Sequence, residues 1–255
     1  MNACELFVNG HKVSEHKGGY IGFTSDISDY IDWGNNNLLA LRVSAEYDSL
    51  TPPGKPQDRL DFYYYSGIYR DVKMVVSDKL HISDELEANQ VAGGGLFISY
   101  PKVDKEEASV AIRTHLENKH EASRNGVVQC LLKNARGRIV AEQETPFSLK
   151  GGDNCHLEQT QTISQPLLWD HYHPNQYQLE CKVKVDGNIV DSRTETIGIR
   201  TIHYERDKGF FINGEHLYLV GANRHQSFPY VGDAASNSMQ ERDVIDMKRG
   251  GYNAV

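Results

Sequence analysis

The sequence predicts a mainly β protein that ends in a strand–helix–strand unit. Three observations lead to this fold class. Residues 1–77 contain short apolar runs broken by glycine and proline, and residues 78–203 contain about seven more, with turn signals every 8–12 residues. Residues 204–255 then change character, because an apolar strand pattern is followed by a helical pattern and a second apolar run.

The first part, residues 1–77, is predicted to be built from strands and loops. Asn9-Gly10 follows an apolar run and indicates a hairpin, since both residues tolerate positive φ. Leu39, Leu41 and Val43 alternate with less apolar residues, which is the period of a half-buried strand. The prolines within residues 51–56 remove ladder donors, so this segment is predicted to be a loop.

An aromatic run occupies residues 61–72, with five aromatic residues in the eight positions from Phe62 to Tyr69. Two interpretations stay open. The run forms an aromatic strand of a core, or it forms a wall that faces a sugar, because aromatic faces pack well on the C–H surfaces of sugars.

The second part, residues 78–203, has the spacing of an immunoglobulin-like β-sandwich. Turns are predicted at Asn125-Gly126, Arg136-Gly137 and Asp186-Gly187. The predicted strands are 95–100, 109–117, 127–133, 139–142, 156–163, 176–185, 189–195 and 196–202.

Two side-chain groups in this part raise the question of metal or redox chemistry. His171 and His173 could hold a metal, but a solvated turn rich in histidine is the favoured interpretation. The four cysteines are widely spaced and lack CxxC spacing, so free thiols are expected, with a single bridge such as Cys155–Cys181 as the alternative.

The third part, residues 204–255, predicts a hairpin and then a βαβ unit. Asn213-Gly214 is the hairpin turn, and residues 217–220 form an apolar strand that the pattern predicts to be buried on both faces. Asn, Arg and His follow at 223–225, where α/β barrels place polar site residues; a plain polar loop is the alternative. A helix is predicted over 239–249, ended by Gly250-Gly251, and a second strand begins at 253.

Composition restricts the partners. The net charge is −8, the pI is about 5.8 and the basic residues are dispersed, which argues against nucleic acid and anionic membranes as partners. No apolar run approaches the ~20 residues that a membrane helix needs. We expect a soluble protein, cytoplasmic or periplasmic, without a targeting signal at its N-terminus.

Four separated segments together resemble glycoside hydrolase family 2, especially its β-galactosidase branch. They are NNLLALRV at 36–43; SGIYRDV at 66–72; LW at 168–169 with Tyr177 and GIR at 198–200; and NG at 213–214 through GANRH at 221–225 to DMK at 246–248 and NAV at 253–255. The resemblance covers nearly the whole chain. It implies a partial jelly-roll sugar-binding domain at 1–77, an immunoglobulin-like sandwich at 78–203, and the first βαβ unit of an incomplete (β/α)8 TIM barrel at 204–255.

The resemblance also implies retaining hydrolysis of terminal β-galactosides by two glutamates on later barrel strands. Those strands are not in this sequence, so we assign no catalytic residue in this chain and expect it to be inactive alone, as a fragment truncated at both ends. The acids near the barrel start, namely Asp233, Glu241, Asp243 and Asp246, are interpreted as helix-cap and helix-surface residues.

Four positions are expected to contribute to sugar binding by resemblance. His225 matches a histidine that hydrogen-bonds the sugar, with Asn223 beside it, and Arg224 is expected to support the site through ion pairs. Asp61 matches an aspartate that holds sodium and a sugar hydroxyl; a strand-end aspartate is the alternative there. Gln226 stands where the family often has Glu, which puts the role of this position in doubt.

Other interpretations remain at this stage. Within the family, a β-glucuronidase or β-mannosidase is the alternative, and outside it a non-catalytic carbohydrate-binding module. No cofactor is identifiable in this chain, whereas the resemblance implies sodium and magnesium in the complete enzyme, which is expected to be a homo-oligomer.

Overall fold

The computed structural model describes residues 2–255 and is mostly β. It divides into two compact units: residues 2–74 together with 220–255, and residues 75–219. The predicted order of β parts followed by a strand–helix–strand segment is confirmed, while the boundaries predicted after residues 77 and 203 stay predictions. Within residues 2–255, no helix combines the length and the apolar character needed to cross a membrane.

The first unit contains a three-stranded antiparallel sheet in the order β2-β1-β3. Cys4, Leu6 and Val8 point to its buried side, as the alternating pattern requires. Asn9 and Gly10 form the predicted tight turn, with φ of 50° and 86°. The strands are β1 (Ala3–Val8), β2 (His11–Lys17) and β3 (Leu39–Ser44).

The second unit is a β-sandwich. One sheet has the order β11-β10-β7-β8, and in the other β6 pairs with β4, β5 and β9. A short helix, α1 (Glu85–Ala88), follows β4. The sandwich strands are β4 (Leu80–Ile82), β5 (Leu96–Val103), β6 (Glu107–Asn118), β7 (Arg124–Asn134), β8 (Ile139–Leu149), β9 (Asn154–Ser164), β10 (Tyr177–Val185) and β11 (Asn188–Ile197).

Two predictions for the sandwich are wrong. Asn125-Gly126 is no turn but part of β7, where a Cβ on Gly126 would lie 2.1 Å from the Lys184 carbonyl oxygen. The glycine is therefore needed for close backbone approach, not for chain reversal. The predicted last strand at 196–202 also does not form as a unit, since β11 ends at Ile197 and the next strand begins at Ile202.

The cysteine prediction is wrong at two positions. Cys130 in β7 lies directly opposite Cys181 in β10, and the two form a disulfide. Cys4 and Cys155 are free thiols, and burial raises the pKa of both. The pairing follows from the strand register, which spacing along the sequence does not reveal.

The histidine-rich segment at 169–174 is a short turn. The Asp170 carboxylate accepts hydrogen bonds from the backbone N–H groups of Tyr172 and His173, which lowers the pKa of Asp170 against the opposing effect of its burial. Within residues 2–255 no group of three or more His, Cys, Asp or Glu side chains is arranged to hold a metal ion.

The last part of the chain, from residue 202 onward, confirms the hairpin and the βαβ unit. Strands β12 (Ile202–Glu205), β13 (Gly209–Ile212) and β14 (Glu215–Leu217) form an antiparallel sheet with Asn213-Gly214 at the second turn, where φ is 50° and 80°. Helix α2 (Asn237–Arg249) begins after its N-cap Ser236 and ends at Gly250.

The chain on either side of α2 pairs in parallel, as a βαβ unit requires, because Gly221 bridges Ala254. The predicted burial of the preceding strand on both faces is wrong for the described residues, since Tyr218, Leu219 and Val220 are exposed. The faces of a parallel strand are buried by helices that pack on the sheet, whereas the bridge to Ala254 pairs only one edge of this segment.

Candidate functional site

A cavity of about 250 Å³ lies within the first unit. The loop that follows the Asn-Arg-His motif and the aromatic run form most of its wall. Its lining residues are Asn2, Gly19, Tyr20, Phe62, Tyr63, Tyr64, Tyr65, Tyr69, His225, Gln226, Ser227 and Asp233.

The aromatic run supplies five of these lining residues. The segment is not a strand in the structure, and Tyr63 and Tyr65 are exposed, so the interpretation as a core strand is wrong. Gln57 fixes the start of the run, because its side-chain amide donates to the Phe62 carbonyl and accepts from the Tyr64 backbone N–H. The result is a wall of rings and hydroxyl groups, which suits a ligand with both C–H faces and hydroxyls.

His225 reaches the cavity through a ring stack. Its imidazole lies on the Phe62 ring, with 5.2 Å between ring centroids and 19° between planes. The residue is otherwise exposed, so its ring nitrogens are available to a ligand.

The two residues before His225 are placed differently. Arg224 points to α2, where its Nε and Nη2 donate to one Asp243 oxygen at 3.1 and 2.6 Å. Asn223 is exposed and lines a separate shallow depression with Gly221 and Ala254. Of the expected sugar-binding residues on this loop, His225 alone is among the cavity-lining residues.

Asp61 is not brought into the cavity. It is exposed, although its neighbour Phe62 lines the wall. Within residues 2–255, Asp61 belongs to no group of three or more His, Cys, Asp or Glu side chains that could hold a metal ion. Sodium binding at Asp61 stays a prediction.

Asp233 is a cavity residue that the sequence interpretation missed. It is not a helix cap, because Ser236 holds that position, and its exposure is 4%. Ser227 Oγ donates to Asp233 Oδ1 at 2.6 Å. Asp233 lies three residues before Ser236 and outside the helical pattern. This position in the sequence indicates that Asp233 does not belong to α2.

A tight reversal of the chain places Asp233. Phe228 and Gly232 exchange both backbone hydrogen bonds, at 3.1 and 2.9 Å. Gly232 has φ of +57°, and a Cβ there would lie 3.0 Å from the Tyr65 ring, so the backbone packs closely on that ring. Arg70 Nη1 donates to the Asp233 main-chain oxygen at 3.1 Å and fixes the end of the loop.

Two tyrosines that line the cavity with Asp233 have a raised pKa. Burial, followed by the negative charge of Asp233, raises the pKa of Tyr69. Burial also raises the pKa of Tyr20, with smaller contributions from Tyr69, Asp233 and Tyr64. The Tyr69 hydroxyl donates to the Gly19 carbonyl at 3.2 Å, and this bond positions the ring in the cavity wall.

The remaining acids near the barrel start behave as expected for a helix surface. Glu241 and Asp246 are exposed on α2, and Asp246 forms an ion pair with Arg249 at 3.2 Å. Asp243 is half-buried by its ion pair with Arg224.

Comparison with known proteins identifies models of one family along nearly the whole chain. The sugar binding domain of glycosyl hydrolases family 2 matches residues 1–77, the model described as glycosyl hydrolases family 2 matches 95–200, and the TIM barrel domain of that family matches 204–255.

Relatives with two different names are similar to the chain. A β-glucuronidase of Bacteroides fragilis is 32% identical over 99% of the chain and 35% of its own length. A β-galactosidase of Thermoanaerobacter pseudethanolicus is 32% identical over 97% of the chain and 31% of its own length. The crystal structure of a Bacteroides uniformis β-glucuronidase superposes with a TM-score of 0.87 at 25% identity, over 98% of this chain and 29% of that one. The chain thus spans about a third of the length of these relatives.

Proposed function

The chain belongs to glycoside hydrolase family 2, and from this premise we propose that the protein is a retaining exo-glycosidase that hydrolyses terminal β-galactosides. In this proposal residues 1–255 contribute a wall of the sugar-binding site. The catalytic glutamates belong to later barrel strands, as the family resemblance implies.

The observation that carries the proposal is the cavity between the aromatic run and the loop at 225–233. A pyranose has apolar C–H faces and a rim of hydroxyls, and it is bound by aromatic faces together with hydrogen-bonding groups at the rim. Phe62 and the tyrosines supply the faces, while His225, Ser227 and the tyrosine hydroxyls supply donors and acceptors.

His225 is the residue we expect to touch the sugar most directly. The stack on Phe62 fixes the plane of the imidazole ring. Little further conformational entropy is therefore lost when a ring nitrogen binds a sugar hydroxyl. Arg224 supports the same loop through its ion pair with Asp243 on α2. Both roles are part of the proposal.

The second candidate is a β-glucuronidase, favoured by the names of several relatives. A glucuronide differs from a neutral hexoside by a carboxylate, which binding sites normally receive with Arg or Lys. The cavity-lining residues of this chain include neither. We therefore place the galactoside first.

The test is turnover of a substrate panel by the full-length protein. We expect 4-nitrophenyl β-galactoside to give the highest kcat/KM among the β-galactoside, β-glucuronide and β-mannoside, with release of the β-anomer first. A higher kcat/KM on the glucuronide would move the protein to the second candidate. No turnover together with measurable sugar binding would identify a carbohydrate-binding module instead.

The role of His225 is tested by His225→Ala in the same protein. Loss of one hydrogen bond to a sugar hydroxyl is expected to lower kcat/KM by about 10- to 100-fold. His173→Ala is the matched control, because that histidine is exposed on the turn of the sandwich. Equal activity of the two variants would contradict the assignment.

We expect residues 1–255 alone to show no turnover, because both carboxylates of the retaining mechanism, about 5–5.5 Å apart, are assigned to strands outside this segment. Release of 4-nitrophenol above the buffer rate by the pure 255-residue chain would contradict this.

A further inference from the structure

We infer that Asp233 is a specificity-determining residue whose buried carboxylate binds hydroxyls of an uncharged sugar and excludes sugars that carry a carboxylate. The inference rests on the proposal that the cavity takes a sugar, and it adds the charge class of that sugar.

The first step is the state of the side chain. Asp233 is 4% exposed, and it is one of the residues that line the cavity. Its Oδ1 accepts a hydrogen bond from Ser227 Oγ at 2.6 Å. A carboxylate has about four acceptor positions, and Ser227 uses one, so acceptor capacity remains for a ligand.

The second step is charge. Within residues 2–255 the Asp233 carboxylate is hydrogen-bonded to Ser227 and forms no ion pair with a Lys, Arg or His side chain. Arg70 is the cation beside this loop, and its guanidinium donates to the main-chain oxygens of Asp233 and Tyr69 rather than to the carboxylate. The carboxylate therefore has no direct ionic partner, and Arg70 acts on it only from the main-chain side of the same residue.

The third step is the surroundings of that charge. Tyr69 and Tyr20 line the same cavity as Asp233; burial, together with a smaller contribution from the Asp233 charge, raises the pKa of both. The hydroxyls of Ser227 and Tyr69 donate to the Asp233 carboxylate and to the Gly19 carbonyl, respectively, so their oxygens, like the carboxylate, can accept hydrogen bonds from sugar hydroxyls.

A second carboxylate in the same cavity meets a like charge that has no direct ionic partner, and the two charges repel each other. Neutral hydroxyls, in contrast, donate to the carboxylate in charge-assisted hydrogen bonds. The geometry therefore selects neutral glycosides over uronides.

The experiment measures binding of sugar pairs that differ in charge at C6. Methyl β-galactopyranoside and methyl β-galactopyranosiduronate are titrated into the 255-residue chain and followed by saturation-transfer NMR at neutral pH. Wild type is expected to bind the neutral sugar at least about tenfold more tightly, and Asp233→Asn is expected to bring the two affinities within about threefold of each other. Asp29→Asn, an exposed aspartate of the same unit, serves as the matched control and is expected to keep the wild-type ratio.

A second variant protects the test against misfolding. Ser227→Ala keeps the charge of Asp233 but removes its fixed hydrogen bond, so the preference for the neutral sugar is expected to remain while affinity for it falls about threefold. Near-ultraviolet circular dichroism of the tyrosines shows whether each variant is folded.

Three results would overturn the inference: equal binding of both sugars by wild type, an unchanged ratio in folded Asp233→Asn, or no binding of either sugar. None of these decides the proposed function, which is tested by turnover in the full-length protein. The two tests can also disagree in the other direction. If the full-length protein turns over no β-galactoside but Asp233→Asn removes the preference for the neutral sugar, the proposed activity is refuted and the role of Asp233 is supported.

Discussion

His225 and Asp233 reach one cavity by different local means. His225 depends on a side-chain stack with Phe62, which leaves its nitrogens unused by the protein. Asp233 depends on the backbone, because the paired Phe228 and Gly232 turn the chain and Ser227 then holds the carboxylate. The position of Asp233 is therefore sensitive to backbone changes in residues 228–232.

Gly232→Ala tests this dependence. The substitution puts a side chain at φ of +57° and a Cβ 3.0 Å from the Tyr65 ring, so we expect the reversal at 228–232 to open. A strained non-glycine residue costs about 1–3 kcal/mol. Hydrogen exchange of the Phe228 and Gly232 amides, measured by mass spectrometry on a peptide that covers them, is expected to accelerate by about 5- to 100-fold.

Gly10→Ala is the control for the backbone part of the effect. Gly10 has φ of +86° in the turn between β1 and β2, and a Cβ there meets no atom within 4 Å. Gly10→Ala is expected to affect only the turn between β1 and β2 and to leave hydrogen exchange of the Phe228 and Gly232 amides unchanged. Unchanged exchange at Phe228 in Gly232→Ala would show that the Tyr65 contact does not constrain the loop.

At the scale of elements, the pairing of strands β7 and β10 determines which contacts individual residues of these strands make. Strand register places Cys130 opposite Cys181 and brings Lys133 within 2.6 Å of Glu180. It also places the Lys184 carbonyl against Gly126. An Asn-Gly pair predicts a turn when nothing else is known, but its role here is set by a strand almost sixty residues further along the chain.

The ion pair between these strands predicts a loss of stability in acid. Lys133, followed by Lys182, lowers the pKa of Glu180 from 4.5. Because the folded pKa is the lower one, the folded state holds this proton less readily than the unfolded state. The stabilisation is thus fully present above pH 4.5 and is lost as the pH falls through the lowered pKa.

Glu180→Gln is expected to reduce the dependence of stability on pH below 4.5 while leaving the fold intact. The measurement is the urea midpoint of the sandwich between pH 7 and pH 3, compared with wild type. Glu121→Gln, an exposed glutamate on the connection before β7, is the control and is expected to follow wild type. A Glu180→Gln curve parallel to wild type throughout would contradict the assignment.

Helix α2 was predictable almost to its ends, since Ser236 caps it and Gly250 terminates it by local chemistry. Its ion pair with Arg224 was foreseen as a support, although the partner Asp243 was not. Local signals therefore located the helix, and the tertiary contact selected which of its acids is used.

At the scale of the whole molecule, the sequence was sufficient for the order of the parts and insufficient for the composition of the cavity. Hydrophobic period and turn residues are local, so the sandwich strands and the hairpin at Asn213-Gly214 were found. The cavity joins residues more than 150 positions apart, and no local pattern shows that Asp233 is buried while Asp61 is exposed. Resemblance located His225 because its motif is contiguous.

The sandwich supplies the last prediction, because its core is complete within residues 75–219. The cluster of buried apolar side chains is drawn from both sheets, and Leu132 and Leu179 at its centre are fully buried. A unit that buries its own core is expected to fold alone. Residues 75–219 expressed by themselves should therefore unfold cooperatively in urea.

Leu132→Ala in this excised unit tests whether that core provides the stability. Removal of a fully buried leucine side chain is expected to lower the free energy of unfolding by about 2–5 kcal/mol. Leu167→Ala is the matched control, because that leucine is exposed and its loss leaves no internal cavity. A broad, non-cooperative transition in the excised unit, or equal effects of the two substitutions, would mean that the sandwich depends on the rest of the chain for its packing.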